Sequence, residues 1–322
     1  MIDRLIGAGV SVIRLDAIGY AGKMAASNCF MTSETFAFIN RIKEYCHQRG
    51  AIILLEVHGH FSQQIEVARD VDFVYDFALP PLVLFAILAS DARPLGRWLE
   101  VRPRNTITVL DTHDGIGIID AGPNGLRPSE PGLLDEGQLG SLVESVHANA
   151  GEASRLATGG GALNLDLYQV NTTFFEAFGR DEHRYLLARA VQLFVPGIPQ
   201  VYYVGLLAGV NDVVLFERTG VGRDINRHHY SEEEIVAALV TPVVRAQIWL
   251  LRLRVEFPAF EGSFCHDVSV ERLLLRWSHQ DHEASLDADM LRCSFTIRLR
   301  SEGKSRSVND EQLLSNNYDD WR

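Results

Sequence analysis

The chain has 322 residues, enough for one large domain and a smaller one, and its apolar (47%) and charged (22%) fractions are ordinary for a globular protein. Its 42 acidic and 30 basic residues give a formal charge of −12, which argues against nucleic acid or an anionic membrane as the main partner, since both need a basic face. No window approaches the ~20 consecutive apolar residues of a membrane span. The opening MIDRLIGAGV lacks the basic, apolar and small-residue regions of a secretory signal. Cys29, Cys46, Cys265 and Cys293 are far apart and form no CxxC. They fit a reducing cytoplasm better than a disulfide framework or a zinc site.

In chain order, SVIRLD (11–16) is a short apolar run that predicts a strand buried on both faces. Helical spacing follows to Gly50, with Phe36, Ile39 and Ile42 on one side, Ser33 as N-cap and Gly50 as stop. AIILLEV (51–57) predicts the next strand, DFVYDF (72–77) another, and an apolar helix runs from about Leu82 to Ser90. TITVLD (106–111) predicts a strand, followed by a long insertion over roughly 115–180 and the helix EHRYLLARAVQLF (182–194). PQVYYVG (199–205) predicts one more strand. Thr241 then caps a helix with Pro242 at its first position, stopped by Pro258. From Phe260 onward short alternating runs such as RLLLRW (272–277) and CSFTIRL (293–299) predict a small antiparallel β domain. Repeated βα steps imply a parallel sheet with outer helices. Five core strands suit either an open doubly wound sheet or part of an eight-stranded barrel, so strand count alone does not choose.

Three acidic residues stand where apolar runs end: Asp16 in RLDAIGY, Glu56 in LLEVHGH and Asp114 in VLDTHDGIG. Carboxylates at the carboxyl ends of parallel strands point into the face where barrel enzymes do their chemistry. A single strand-end Asp is more often a helix cap, but three on successive βα units point to a site. Glycosyl transfer with retention needs this inventory: one carboxylate attacks the anomeric carbon, and a second, protonated, serves the leaving oxygen from about 5–5.5 Å away. Arg14, two positions before Asp16 on the same strand face, would keep that carboxylate ionised. A competing metal reading takes His58, His60, Asp111 and His113 as ligands, but no metallohydrolase spacing supports it. GGGALN (159–164) lacks the lysine and hydroxyl of a phosphate loop, and its bland reading is loop flexibility. His228 and His229 read as surface or supporting structure.

RLDAIGY, EVH and DTHD resemble the conserved segments of the α-amylase superfamily of retaining α-glucosyl enzymes. VYDFALPPLVLFAIL, TVLDTHDGIGIID, NLDLYQVN, GIPQVYYVGLLAG and GRDINRHHYS resemble the sucrose phosphorylase family within it. The resemblance runs from about Ile2 to Glu261. It implies an α/β fold, a (β/α)8 TIM barrel of α-amylase type present from about strand 4 onward, with the first three strands upstream of Met1. On this reading residues 1–257 are a partial catalytic barrel containing the inserted substrate loop region (about 115–180), and 258–322 a C-terminal antiparallel β domain. Asp16 is then the nucleophile, Glu56 the general acid/base and Asp114 the transition-state stabiliser. Arg14, Tyr20, His113 and Arg223 match residues around the glucosyl unit. Asp166 and Gln169 match residues that recognise the fructosyl part of sucrose, and Tyr168 matches a position linked to phosphate.

The implied reaction converts sucrose and inorganic phosphate to α-glucose 1-phosphate and fructose, with no metal or organic cofactor, in a cytoplasmic protein that forms a homodimer. The alternatives are a related α-glucoside phosphorylase or hydrolase acting on glucosylglycerate or sucrose 6-phosphate, or an inactive truncated fragment. One departure bears on acceptor preference: Gly59 and His60 stand where the family carries serine and tyrosine.

Overall fold

The computed structural model describes residues 1–27, 29–125, 127, 129–159 and 169–318. Helix α1 (Ile2–Gly7) leads into strand β1 (Val12–Leu15), followed by α2 (Ser33–His47), β2 (Ile52–Leu55), α3 (Phe61–Ala68), β3 (Phe73–Asp76), α4 (Leu79–Leu88), α5 (Arg93–Val101) and β4 (Thr106–Thr108). Short strands β5 (Ile116–Gly117) and β6 (Gln169–Val170) lie either side of α6 (Glu136–Ala150) and α7 (Glu152–Thr158). Helices α8 (Phe174–Ala177) and α9 (Glu182–Phe194) precede β7 (Ile198–Pro199). Then come α10 (Tyr203–Leu206), α11 (Val213–Thr219), α12 (Glu232–Leu239) and α13 (Pro242–Glu256). The chain continues through β8 (Ser263–Val268), β9 (Arg272–His279), β10 (His282–Asp289), β11 (Ser294–Ser301), β12 (Lys304–Asn309) and α14 (Asp310–Leu314).

The first sheet has the order β1-β2-β3-β4-β7, and every pairing is parallel. Val12 faces Ile52 and Leu15 faces Leu55, so the β1 and β2 ends lie level and deliver residues 16 and 56 side by side. Ile53 and Leu55 on one face of β2 and Leu54 on the other are all buried, as a strand covered on both faces requires. The outer strands β1 and β7 each pair on one side among the described residues, and Val12 (44% exposed) and Ile198 (52% exposed) lie on those edges. The second sheet is an antiparallel meander, β12-β11-β10-β9-β8.

Helix α4 is apolar all round and almost wholly buried, the pattern of an internal helix. It belongs to one apolar cluster that takes in Trp98, Leu187, Phe194 and Leu253 together with Leu275, Leu286 and Ile297 of the meander. Each of the larger side chains contributes roughly 1.5–3 kcal/mol on burial. Trp277 Nε1 donates to the Phe194 carbonyl at 2.6 Å and ties the meander to α9. The segments before and after residue 257 therefore share a core.

Several local expectations are corrected. The N-cap of α2 is Thr32, whose hydroxyl accepts from Thr35 N, not Ser33. The helix expected from Leu82 begins at Leu79, because Asp76 Oδ1 accepts from Leu79 N at 3.1 Å. PQVYYVG does not form a strand along its length: β7 is two residues, and Tyr203–Leu206 turns helical. Tyr185 Oη donates to the Gly205 carbonyl at 2.6 Å, and a Cβ at Gly205 would stand 1.7 Å from Asp111 Oδ2. This close packing overrides the strand preference of the aromatic and β-branched residues. The run 106–111 likewise is strand only to Thr108. The insertion carries regular structure of its own, with α6 opened by a capping box between Asp135 and Gln138.

Candidate active site

Asp16 follows β1 directly, and Ala17 then takes a left-handed conformation (φ 47°) that turns the chain sharply away from the strand. Glu56 follows β2, and its amide donates to the Leu15 carbonyl at 3.1 Å, extending the ladder to the level of Asp16. Arg14 lies between the two carboxylates. Its Nη1 is 2.8 Å from Asp16 Oδ1, and its Nη2 donates to Glu56 Oε2. The sequence pattern placed Arg14 beside Asp16; the structure shows it serving both acids.

Their surroundings differ. The Asp16 side chain is 68% exposed, whereas Glu56 is 8% exposed. A hydrogen bond from Glu56, with Arg14 adding its charge, holds the Asp16 carboxyl below the usual carboxylate range. Burial, with the same hydrogen bond to Asp16, pushes Glu56 above its ordinary value, against the pull of Arg14. Opposite displacement of two neighbouring acids is how one becomes the ionised partner and the other the proton carrier.

Asp114 is reached differently. Beyond β4 the chain runs through buried Val109 and Leu110 to Asp111, which turns inward onto Arg189 (2.7 Å). A tight turn closed by the Thr112–Gly115 bridge then presents Asp114. Asp114 Oδ1 accepts from Arg223 Nη1 at 2.8 Å and from Arg227 Nη2 at 3.3 Å, with His113 Nε2 at 3.4 Å. Arg223 Nη2 also donates to Gln169 Oε1 at 3.2 Å, which brings Gln169 into the same constellation. Both arginines come from the turn at Gly222–Asn226 and the residues after it. That turn packs so closely that a Cβ at Gly222 would stand 2.0 Å from the Ala157 carbonyl oxygen.

These groups meet in a cleft of about 340 Å³ whose lining includes Asp16, Tyr20, Glu56, His113, Asp114 and Arg223. Arg14 supports it from the strand, and Tyr20 packs against Phe30 with ring centres 4.9 Å apart. Asp166 and Tyr168 lie outside the described residues, so their expected places are not described.

Sequence reasoning missed Arg227, Phe30 and Asp120. Arg227 sits four residues after Arg223 in the same block, and that spacing across a turn was the available signal. Asp120 is wholly buried. It is 3.1 Å from His58 Nδ1 and accepts from Gly59 N and Gln64 Nε2, both at 3.0 Å. His58 stacks on Phe77 with ring centres 3.7 Å apart and also lines the cleft. The side chains of the competing metal reading go elsewhere: His58 to Asp120, His60 Nε2 to the Pro131 carbonyl (3.1 Å) and Asp111 to Arg189. His228 is more than surface, lying between Asp212 (2.6 Å) and Glu234 (3.2 Å).

No family model matches the chain. It is 51% identical over 289 residues to sucrose phosphorylase of Agrobacterium vitis, covering 89% of this chain and 58% of that protein. Against sucrose phosphorylase of Bifidobacterium adolescentis it is 47% identical over 287 residues, 89% of this chain and 57% of the relative. The crystal structure of sucrose 6F-phosphate phosphorylase from Thermoanaerobacter thermosaccharolyticum superposes with a TM-score of 0.85 at 35% identity, covering 95% of this chain and 62% of that one. An α-amylase from H. orenii shares the fold alone, with a TM-score of 0.57 at 13% identity over 92% of this chain and 56% of that one. The chain spans somewhat under three-fifths of the length of these curated relatives. It is a homologue of the sucrose phosphorylases, and its parallel strands and outer helices are those of the α-amylase-type TIM barrel.

Proposed function

We propose that this chain carries the three carboxylates of a retaining α-glucoside phosphorylase that converts sucrose and phosphate to α-glucose 1-phosphate and fructose. The observation that carries the reading is the placement of two strand-end acids side by side on level strands with Arg14 between them, Asp16 exposed and Glu56 buried, an asymmetry that lowers the Asp16 carboxyl and raises that of Glu56. Ionised Asp16 attacks the anomeric carbon while the bond to the fructosyl oxygen breaks, and Glu56 gives that oxygen its proton. In the second half a phosphate oxygen attacks the anomeric carbon of the glucosyl ester, the bond from that carbon to the Asp16 oxygen breaks so that Asp16 leaves as carboxylate, and Glu56 takes the proton from the attacking phosphate. Two inversions return the α configuration. Asp114, faced by Arg223 and Arg227, is the fixed negative group beside the cationic sugar of the transition state.

Sucrose is favoured over its phosphorylated form because identity is higher to the two sucrose phosphorylases than to the sucrose 6F-phosphate enzyme. Asp166 and Gln169 are proposed to hold fructose and Tyr168 to serve phosphate. An ionised Asp in contact with a phosphate dianion is opposed by about 4 kcal/mol per charge pair at 4 Å in an effective dielectric of 20. Asp166→Asn should therefore weaken sucrose use more than phosphate attack, and Tyr168→Phe the reverse. The test of the whole reading is phosphorus NMR of the product formed from sucrose and phosphate. The α-anomer of glucose 1-phosphate is expected; the β-anomer, or free glucose alone, would defeat the proposal.

A further inference from the structure

Arg223 is the arginine that sequence resemblance connects with the sugar, whereas Arg227 has no role from that source. Its contacts are of a different kind. Arg227 Nε donates to the backbone carbonyl of His113 at 2.8 Å, Nη2 donates to Asp114 Oδ1 at 3.3 Å, and Nη1 lies 3.6 Å from Asp224 Oδ1. One planar guanidinium thus grips both the main chain before Asp114 and the carboxylate itself. Arg223 shares the carboxylate but sends its other nitrogen to Gln169. The residue after Arg227 is anchored from behind: His228 sits between Asp212 and Glu234, which belong to the N-terminal caps of α11 and α12. The fork is therefore presented from a fixed base.

The geometry points to Arg227 as a positioning residue that latches the turn over residues 112–115 and so fixes where the Asp114 carboxylate stands in the cleft. This rests on the reading of Asp114 as the transition-state stabiliser. A misplacement of about 1 Å in such a group costs on the order of 100-fold in rate. A lysine ammonium is a point charge and does not reproduce a fork that spans a carbonyl and a carboxylate.

Two measurements test this, and the first needs no turnover. Amide hydrogen exchange is followed at Asp114, whose N–H donates to Thr112 Oγ1 at 3.1 Å, and at Gly115. Arg227→Ala should speed exchange at both by about tenfold or more, and Arg223→Ala by no more than about twofold. Second, with α-glucosyl fluoride and phosphate, Arg227→Ala should lower kcat on the order of 100-fold with KM within a few-fold. Arg227→Lys should recover only part of either effect. Unchanged exchange in Arg227→Ala, or full recovery of both readouts by Lys, overturns the latch. If the unsubstituted protein turns over no α-glucoside, the proposed function fails, while the exchange result still decides the latch.

Discussion

Removing the charge of Asp111 should destabilise the protein more than removing any acid that faces the cleft. Arg189 is 1% exposed. Its guanidinium donates to Asp111 Oδ2 (2.7 Å), Tyr185 Oη (2.8 Å), Gln192 Oε1 (2.9 Å) and Gln247 Oε1 (3.1 Å). Asp111 is the only carboxylate among these four partners. Asp111→Asn keeps the shape and one acceptor but leaves a buried cation without its counter-charge, a loss of about 3–5 kcal/mol. At about 2 °C per kcal/mol for a chain of this size, the melting temperature should fall by about 6–10 °C. Replacing both charges, Asp111→Leu with Arg189→Met, removes the uncompensated cation and should restore most of the loss. Scanning calorimetry near neutral pH reads both. An Asn variant within about 1 kcal/mol of the parent, or a double variant no more stable than the single one, would refute the reasoning.

Gly205→Ala attacks the same network from the backbone, since its Cβ would meet Asp111 Oδ2 at 1.7 Å and Arg189 Nη2 at 2.2 Å; a melting temperature unchanged from the parent would contradict that packing. Burial opposes protonation of His228, but Asp212 and Glu234 outweigh it and its pKa is raised. The resulting stability, about 1 kcal/mol for a partly exposed group, is fully present below the unfolded value of about 6.5 and lost as pH rises through the folded value. His228→Gln should remove that slope, and calorimetry at acidic and alkaline pH that showed the same slope in both proteins would count against the clamp. The edges of β1 and β7 predict that the chain self-associates at micromolar concentration; a compact 35.9 kDa monomer in sedimentation would contradict this.

The parallel strands were legible because each is a short apolar run, and Asp16 and Glu56 because an acid closes such a run. Asp76 shows why the pattern is not sufficient. It also ends a strand, yet it is fully buried, accepting from Leu79 N, Trp98 Nε1 and Arg102 Nε. Nothing local distinguishes DF at 76–77 from a strand end that opens into the cleft; the difference lies in Trp98 and Arg102, more than 20 residues away. In DTHD (111–114) the outer acids divide in the same way, Asp111 to the core and Asp114 to the cleft. For Arg227 the sequence offered only its spacing from Arg223, because its partners, His113 and Asp114, lie more than 100 residues upstream. The helical turn at Tyr203–Leu206 was hidden by a strand-like composition that tertiary packing overrides.

The central claim is that Asp16 is the nucleophile and Glu56 the proton carrier. Glu56→Gln removes acid assistance, which a fluoride leaving group hardly needs, so a glucosyl-enzyme should form and decay slowly. The measurement is peptide mass spectrometry after a brief reaction of Glu56→Gln with α-glucosyl fluoride. The account predicts a glucosyl ester on the peptide carrying Asp16, abolished by adding Asp16→Asn. An ester on any other residue, or turnover that persists in Asp16→Asn, would contradict it.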